Sequence, residues 1–270
     1  MEYVAYLTGN ARRDIVLQAL VQTGRVKLLQ PDAYAFAPEP IPLIFGLGLE
    51  VLPIIRHRLQ RKLPFLFCDH AYFLRAKQWR REHGKYHTGA WFRLCANGLN
   101  QTQFDTVRPA DRWNRLVELG VPAVGEVTHQ KTGEEILLCP PNTVQYVYDL
   151  GRWEEATRAA IATHTSRPVR VRYKNDPTPL EDDLAASWGV VTFQSTVAIH
   201  ALLAGKPIWC DESCCAYNLS NGTQYELLDD PYFPPNDDIH TWLHQLAYGQ
   251  FTIDEYASGL ALDTVTPLLE

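Results

Sequence analysis

Apolar residues in the first half of the chain fall in short runs separated by turns. Residues 3–7 form a run of strand length, and after TGN a helical spacing takes over near Ile15–Gln22 until Gly24 stops it. VKLL (26–29) predicts a second strand, and PEPIPLIFGLGLE a strand followed by a loop. VLPIIRHRLQRK has helical spacing with a basic face, and PFLFC (64–68) is an apolar strand ending at Asp69-His70. Residues 71–90 are polar, basic and aromatic without a period, 91–95 predict a strand, and 111–120 a helix or turn. A second cycle starts near 135. EILLCPP is a strand with a prolyl turn, 152–163 a helix, and PVRVRYK (168–174) an alternating strand. A short helix in PTPLEDDLAASW precedes the buried strand GVVTF (189–193), a helix over 195–205 stopped by Gly205, and the strand KPIWC (206–210). Residues 236–257 hold one or two amphipathic helices. Strands alternating with helices predict an α/β protein with a mostly parallel sheet in each half, divided into lobes 1–130 and 131–270.

Composition narrows this picture. The chain has 270 residues, of which 46% are hydrophobic and 21% charged, as in packed globular proteins. It has no run of 18 apolar residues, and its start lacks a basic region followed by an apolar core, so a cytoplasmic protein without a membrane span or signal peptide is expected. Six cysteines are too sparse for a secreted disulfide scaffold and are expected to be reduced, buried thiols. CDESCC with His240 and His244 fits zinc-ligand spacing poorly, so no metal is expected. Charge is uneven. Residues 1–130 carry 17 basic and 11 acidic side chains, residues 131–270 only 8 basic and 20 acidic.

The densest motif is GVVTFQSTVAIHALLAGKPIW (189–209), a strand, tight turn, helix, glycine stop and strand. Gln194, Ser195 and Thr196 fall where the strand hands over to the helix, where free backbone N–H groups and two hydroxyls can receive phosphate oxygens. A Ser-Thr pair at that place also serves as a simple helix cap. The motif resembles the nucleotide-sugar half of GT-B glycosyltransferases of the capsule-polysaccharide type, with a strand, Ser-Thr, a helix and Gly-Lys-Pro. The resemblance is strong over about twenty residues and loose over 135–230. It implies two Rossmann-like lobes, with a nucleotide sugar, a UDP-sugar foremost, bound by the second. Ser195 and Thr196 would hold the donor diphosphate. Arg172 and Lys174 would add positive charge there, or else form a solvated strand edge. The family's helix glutamate falls at His200 here, which puts a ribose contact from this helix in doubt; Glu212 is the substitute, unless Asp211-Glu212 is a surface turn.

Sugar transfer needs a base beside the acceptor hydroxyl. Asp69, at the carboxyl end of its strand, is the first candidate and His70 the second; capping and packing are their structural alternatives. The segment CDHAYFLR…YHTGAWFRLCANG is similar to the first half of glycosyltransferases carried by bacteriophages. Two basic groups lie in this half: Arg56, His57, Arg58, Arg61 and Lys62, then Arg75, Lys77, Arg80, Arg81 and Lys85 among Tyr72, Phe73, Trp79 and Tyr86. Cations with aromatics suit a nucleic acid, so a hydroxymethylated DNA base is one expected acceptor. The alternatives are a capsule or lipopolysaccharide sugar transferase, a non-catalytic nucleotide-binding scaffold, and a sugar-nucleotide epimerase.

Overall fold

The computed structural model describes residues 2–74, 90–101 and 104–269. The chain forms two compact units, Met1–Pro122 with Thr241–Glu270, and Ala123–His240. The first contains β1 (Tyr3–Tyr6), α1 (Ala11–Val21), β2 (Val26–Leu29), β3 (Ile41–Phe45), α2 (Leu52–Arg61), β4 (Leu66–His70), β5 (Trp91–Ala96) and α3 (Asp111–Glu118). The second contains β6 (Glu135–Cys139), α4 (Gln145–Tyr148), α5 (Trp153–His164), β7 (Val169–Val171), α6 (Leu180–Ala186), β8 (Ser187–Thr192), α7 (Val197–Leu203) and β9 (Ile208–Trp209). The chain closes with α8 (Asn236–Tyr248), β10 (Gln250–Thr252), α9 (Ile253–Ala257) and α10 (Leu260–Val265).

The first sheet has the order β10-β5-β4-β3-β1-β2. β1 and β3 are apolar along their whole length and buried on both faces, as central parallel strands must be. β2 forms the edge, and its Lys27 reaches solvent. Tyr3, Ala5, Leu43, Phe45, Leu66, Cys68, Phe92 and Phe251 share one core with α1, α9 and α10. The second sheet is β7-β6-β8-β9, parallel throughout. Ile136, Leu138, Val191 and Trp209 pack there with Ile161 of α5 and Leu228. Both units are therefore Rossmann-like α/β layers.

One expectation is corrected. The last thirty residues belong to the first unit, so the lobe expected at 131–270 ends at His240 and begins at Ala123. The cause is β10, a three-residue strand that places Phe251 opposite Phe92 and buries it completely. Arg112 fixes the return. Its guanidinium donates to Glu255 Oε1 at 2.9 Å, Ala247 O at 3.2 Å and Gln250 O at 2.6 Å. β1, β2, β3 and β4 pair in parallel, as expected of a mostly parallel sheet, while β5 runs antiparallel to β4.

Gly205 ends α7 as expected. Its φ of +71° is left-handed, and a Cβ there would lie 2.0 Å from the Thr128 carbonyl oxygen. Among the described residues no helix is long and apolar enough to cross a membrane.

Candidate functional site

In the second sheet β6 lies between β7 and β8. The chain leaves β6 to one side for β7 and crosses to the other side for β8. The carboxyl ends of β6 and β8 therefore flank a topological switch point, where open α/β sheets bind ligands. Thr192, the last residue of β8, donates its hydroxyl to Cys139 O at 2.9 Å and ties the two strand ends together. The Phe193 ring follows, 5.3 Å from that of Tyr148. Burial pushes the Tyr148 phenol up, and it pushes the Cys139 thiol up to about 12, so both stay neutral at pH 7.

The turn after β8 is braced by the loop after β9. Asp211 N donates to Phe193 O at 3.1 Å, and Gln194 Nε2 donates to Ser213 O at 2.8 Å. Asp211 Oδ1 in turn accepts from Ser213 N at 2.9 Å and from Ser213 Oγ at 2.6 Å. Gln194, Ser195 and Thr196 are thus held together as one half-buried turn. Ser195 Oγ accepts from Val197 N at 3.2 Å and Ser195 O from Ala198 N at 3.1 Å, a hydroxyl turn just before the cap residue Thr196, which makes no side-chain capping bond. α7 is only seven residues long, so the aligned peptide dipoles add little. The Ser195 N–H is directed at the Cys214 thiol, and with Ala216 it favours the thiolate there.

The remaining predicted donor residues divide. Arg172 is held by Asp183, which is wholly buried, and Arg170 Nη2 lies 2.5 Å from the other oxygen of the same carboxylate. A buried carboxylate must be paired, and Arg172 is one of its partners. Lys174 is exposed in the turn beyond β7, Glu212 is exposed on the loop after β9, and His200 is exposed on α7. Lys206, of the Gly-Lys-Pro sequence, is 3% exposed. Its ammonium donates to Ser187 O at 2.8 Å and Thr132 O at 3.0 Å, and burial lowers its pKa. That lysine is a latch between β8 and the segment before β6.

In the first unit Asp69 and His70 end β4, next to Arg93 of β5. Arg93 Nη2 lies 3.0 Å from Asp69 Oδ2, and the His70 N–H donates to Asp69 Oδ1 at 2.8 Å. Arg93 Nη1 also donates to His70 O at 2.8 Å. A carboxylate has about four lone-pair positions, so each oxygen of Asp69 can still accept a further proton donor. The His70 ring stacks on Phe92 at 6.4 Å. The antiparallel pairing puts Arg93 directly opposite Asp69, a partner that depends on strand register and so has no local signal in the sequence.

The basic groups are reduced by folding. Arg58 is completely buried. It donates from Nε to Tyr34 OH at 2.8 Å, from Nη1 to Pro38 O at 2.6 Å and from Nη2 to Pro40 O at 2.8 Å. Tyr72 is 3% exposed with its hydroxyl on Asn100 O, so it is not a surface aromatic, and half-buried Phe73 packs on Trp113. Arg75, Lys77, Trp79, Arg80, Arg81, Lys85 and Tyr86 lie outside the described residues. Among the described residues no group of three or more His, Cys, Asp or Glu side chains is placed to hold a metal ion.

No family model matches the chain, and no curated protein matches it. Among solved structures it is similar to KpsC of Thermosulfurimonas dismutans. The beta Kdo 2,7 transferase aligns at a TM-score of 0.46 and 13% identity, covering 97% of this chain and 99% of that one. The beta Kdo 2,4 transferase aligns at 0.41 and 14% identity, covering 90% and 98%.

Proposed function

We propose that the chain is a glycosyltransferase that takes a sugar from a nucleotide-sugar donor, with the donor diphosphate at the switch point of the second unit. The observation that supports this most is the turn at residues 193–196. It is braced by Asp211 and Ser213, and it presents the Gln194 N–H and the hydroxyls of Ser195 and Thr196 beside the ends of β6 and β8. Preorganised donors suit a diphosphate, whose charge grows as it departs. Thr196 and exposed Lys174 are the proposed additional contacts, and Glu212 the proposed ribose contact.

Asp69 is the proposed base in the first unit, with His70 as its alternative. The acceptor hydroxyl oxygen bonds to the anomeric carbon, the bond from that carbon to the diphosphate breaks, and the hydroxyl proton passes to the carboxylate. Arg93 and the His70 N–H fix the carboxylate without filling its accepting positions. A glycan hydroxyl is favoured as acceptor over a DNA base, because Arg58 and Tyr72, counted among the nucleic-acid contacts, are buried.

Calorimetric titration of UDP and a set of UDP-sugars tests the donor site. Ser195→Ala with Thr196→Ala is expected to weaken binding about tenfold or more, equivalent to about 1.4 kcal/mol. Ser195→Thr, which keeps a hydroxyl, is expected to retain it. Equal affinity in all three proteins would remove the donor assignment.

A further inference from the structure

The loop after β9 gathers three thiols beside the turn that follows β8. Cys210, Cys214 and Cys215 all lie in the segment CDESCC. Cys214 N donates to Asp211 O at 2.9 Å, and Asp211 Oδ1 accepts from Ser213 N at 2.9 Å. The chain therefore doubles back, and the side chains of Cys210 and Cys214 meet in a hydrogen bond. Both residues are buried, while Cys215 and Ser195 are half-buried. The Cys214 sulfur lies 3.9 Å from Ser195 O. Its cover is thus a thin layer made by residues that themselves touch water.

The thiols are not equivalent. Cys210 and Cys215 donate to the Cys214 sulfur, and the N–H groups of Ala216 and Ser195 point at it as well. Together these donors outweigh burial and hold the Cys214 thiol well below its ordinary value. Cys210, which donates to that sulfur and is buried, is pushed well up and keeps its proton. Burial pushes the Cys68 and Cys139 thiols up too, and a thiol that stays protonated is a poor nucleophile. One reactive sulfur with a protonated thiol in contact is the arrangement from which a disulfide forms.

We propose that Cys210 and Cys214 form a reversible disulfide in response to peroxide, and that this bond loosens the turn at Ser195. The Cys214 thiolate attacks one oxygen of hydrogen peroxide, the O–O bond breaks, and hydroxide departs from the new sulfenic acid. The Cys210 sulfur then bonds to the Cys214 sulfur, the S–O bond breaks, and the oxygen leaves with the Cys210 proton as water. One peroxide is reduced and two sulfurs are oxidised. A Cys214 sulfur in a disulfide carries no charge to draw the Ser195 N–H. The bond also pulls the two sulfurs to about 2.05 Å, which shifts the loop whose Ser213 O holds Gln194 Nε2 at 2.8 Å. Cys215 is the poorer partner, because a bond between adjacent residues closes a ring so small that the peptide between them must distort. The Cys210–Cys214 bond closes a short loop and removes little entropy from the unfolded chain, so it is readily reduced again. This chemistry stands apart from the transferase reading; only its effect on a bound donor rests on that.

The test treats the reduced full chain with hydrogen peroxide, blocks the remaining thiols and maps the peptides without reduction. Of the six thiols two are expected to be lost, with Cys210 and Cys214 joined and two hydrogens lighter, and dithiothreitol is expected to restore both. Cys215→Ser is expected to form the same bond. Cys210→Ser is expected to stop at a sulfenic acid on Cys214, which dimedone captures. Thermal melts confirm that both variants are folded. Hydrogen exchange at the Ser195 amide is expected to quicken about tenfold or more in the oxidised protein. The proposal is overturned if peroxide leaves all six thiols intact, if Cys214 bonds to Cys215 or to a second chain instead, if Cys214 passes to a sulfinic acid without a disulfide, or if Ser195 exchanges alike in both forms. UDP titrated into the reduced protein reports the donor site separately, so the failure of one reading is visible apart from the failure of the other.

Discussion

Arg172 sits against the carboxylate of Asp183, and Asp183 has no exposed surface. Arg170 closes the same carboxylate from its other oxygen at 2.5 Å. A cation at the end of a strand that faces a proposed phosphate site is therefore already engaged in holding α6 beside β7. Removing one of its two cations leaves the buried carboxylate with Arg170 alone. Arg172→Ala is expected to lower unfolding stability by about 1–3 kcal/mol, measured by urea denaturation. Lys174→Ala, at an exposed turn, is expected to stay within about 0.5 kcal/mol of the parent. If Lys174 contacts the donor, its loss appears as weaker UDP binding in a protein of unchanged stability.

Asp69→Asn preserves the size of the side chain and its place beside Arg93, but removes its capacity to take a proton. Transfer is expected to fall by about 10²-fold or more with donor affinity unchanged, measured by turnover and by UDP titration. Retained turnover would move the base to His70, with His70→Gln as the next variant.

Glu255 gives the first unit an acid-sensitive joint. Burial alone would raise its pKa, but the hydrogen bond and charge of Arg112, with the Thr252 N–H and Arg115, hold it below the usual 4.5. A lowered carboxyl pKa contributes stability that is complete above the unfolded value and is lost as pH falls through the folded value. Unfolding free energy is thus expected to decline below about pH 4.5. Glu255→Gln should be less stable at pH 7 by about 3 kcal/mol and should show a flatter acid limb. Denaturation series from pH 3 to pH 7 on both proteins check this.

Gly205→Ala places a Cβ 2.0 Å from the Thr128 carbonyl oxygen at a left-handed φ. The backbone oxygen cannot swing away as a side chain would. A loss of about 2 kcal/mol or more is expected, with a lower melting temperature as the readout.

Element by element, the apolar runs located β1, β3, β4, β6 and β8, because a strand buried on both faces is apolar from end to end. β10 escaped, since three residues between two helices carry no period and its pairing partner lies over 150 positions earlier. The turn at residues 194–196 was legible as well, because the hand-over from strand to helix is written locally in GVVTFQST. Its brace by Ser213 was not, because that contact joins two different strand ends.

The sequence by itself determined the alternation of strands and helices, the place of the Ser-Thr turn and the glycine that ends α7, all of which depend on neighbours within a few positions. Tertiary structure alone decided which cations are available. Arg58, Arg172 and Lys206 look like surface charges in the chain, and each is instead drawn inside by distant carbonyls or a distant carboxylate. The physical reason is that the cost of burying a charge depends on the partners it meets, and those partners are brought together only when the sheets close.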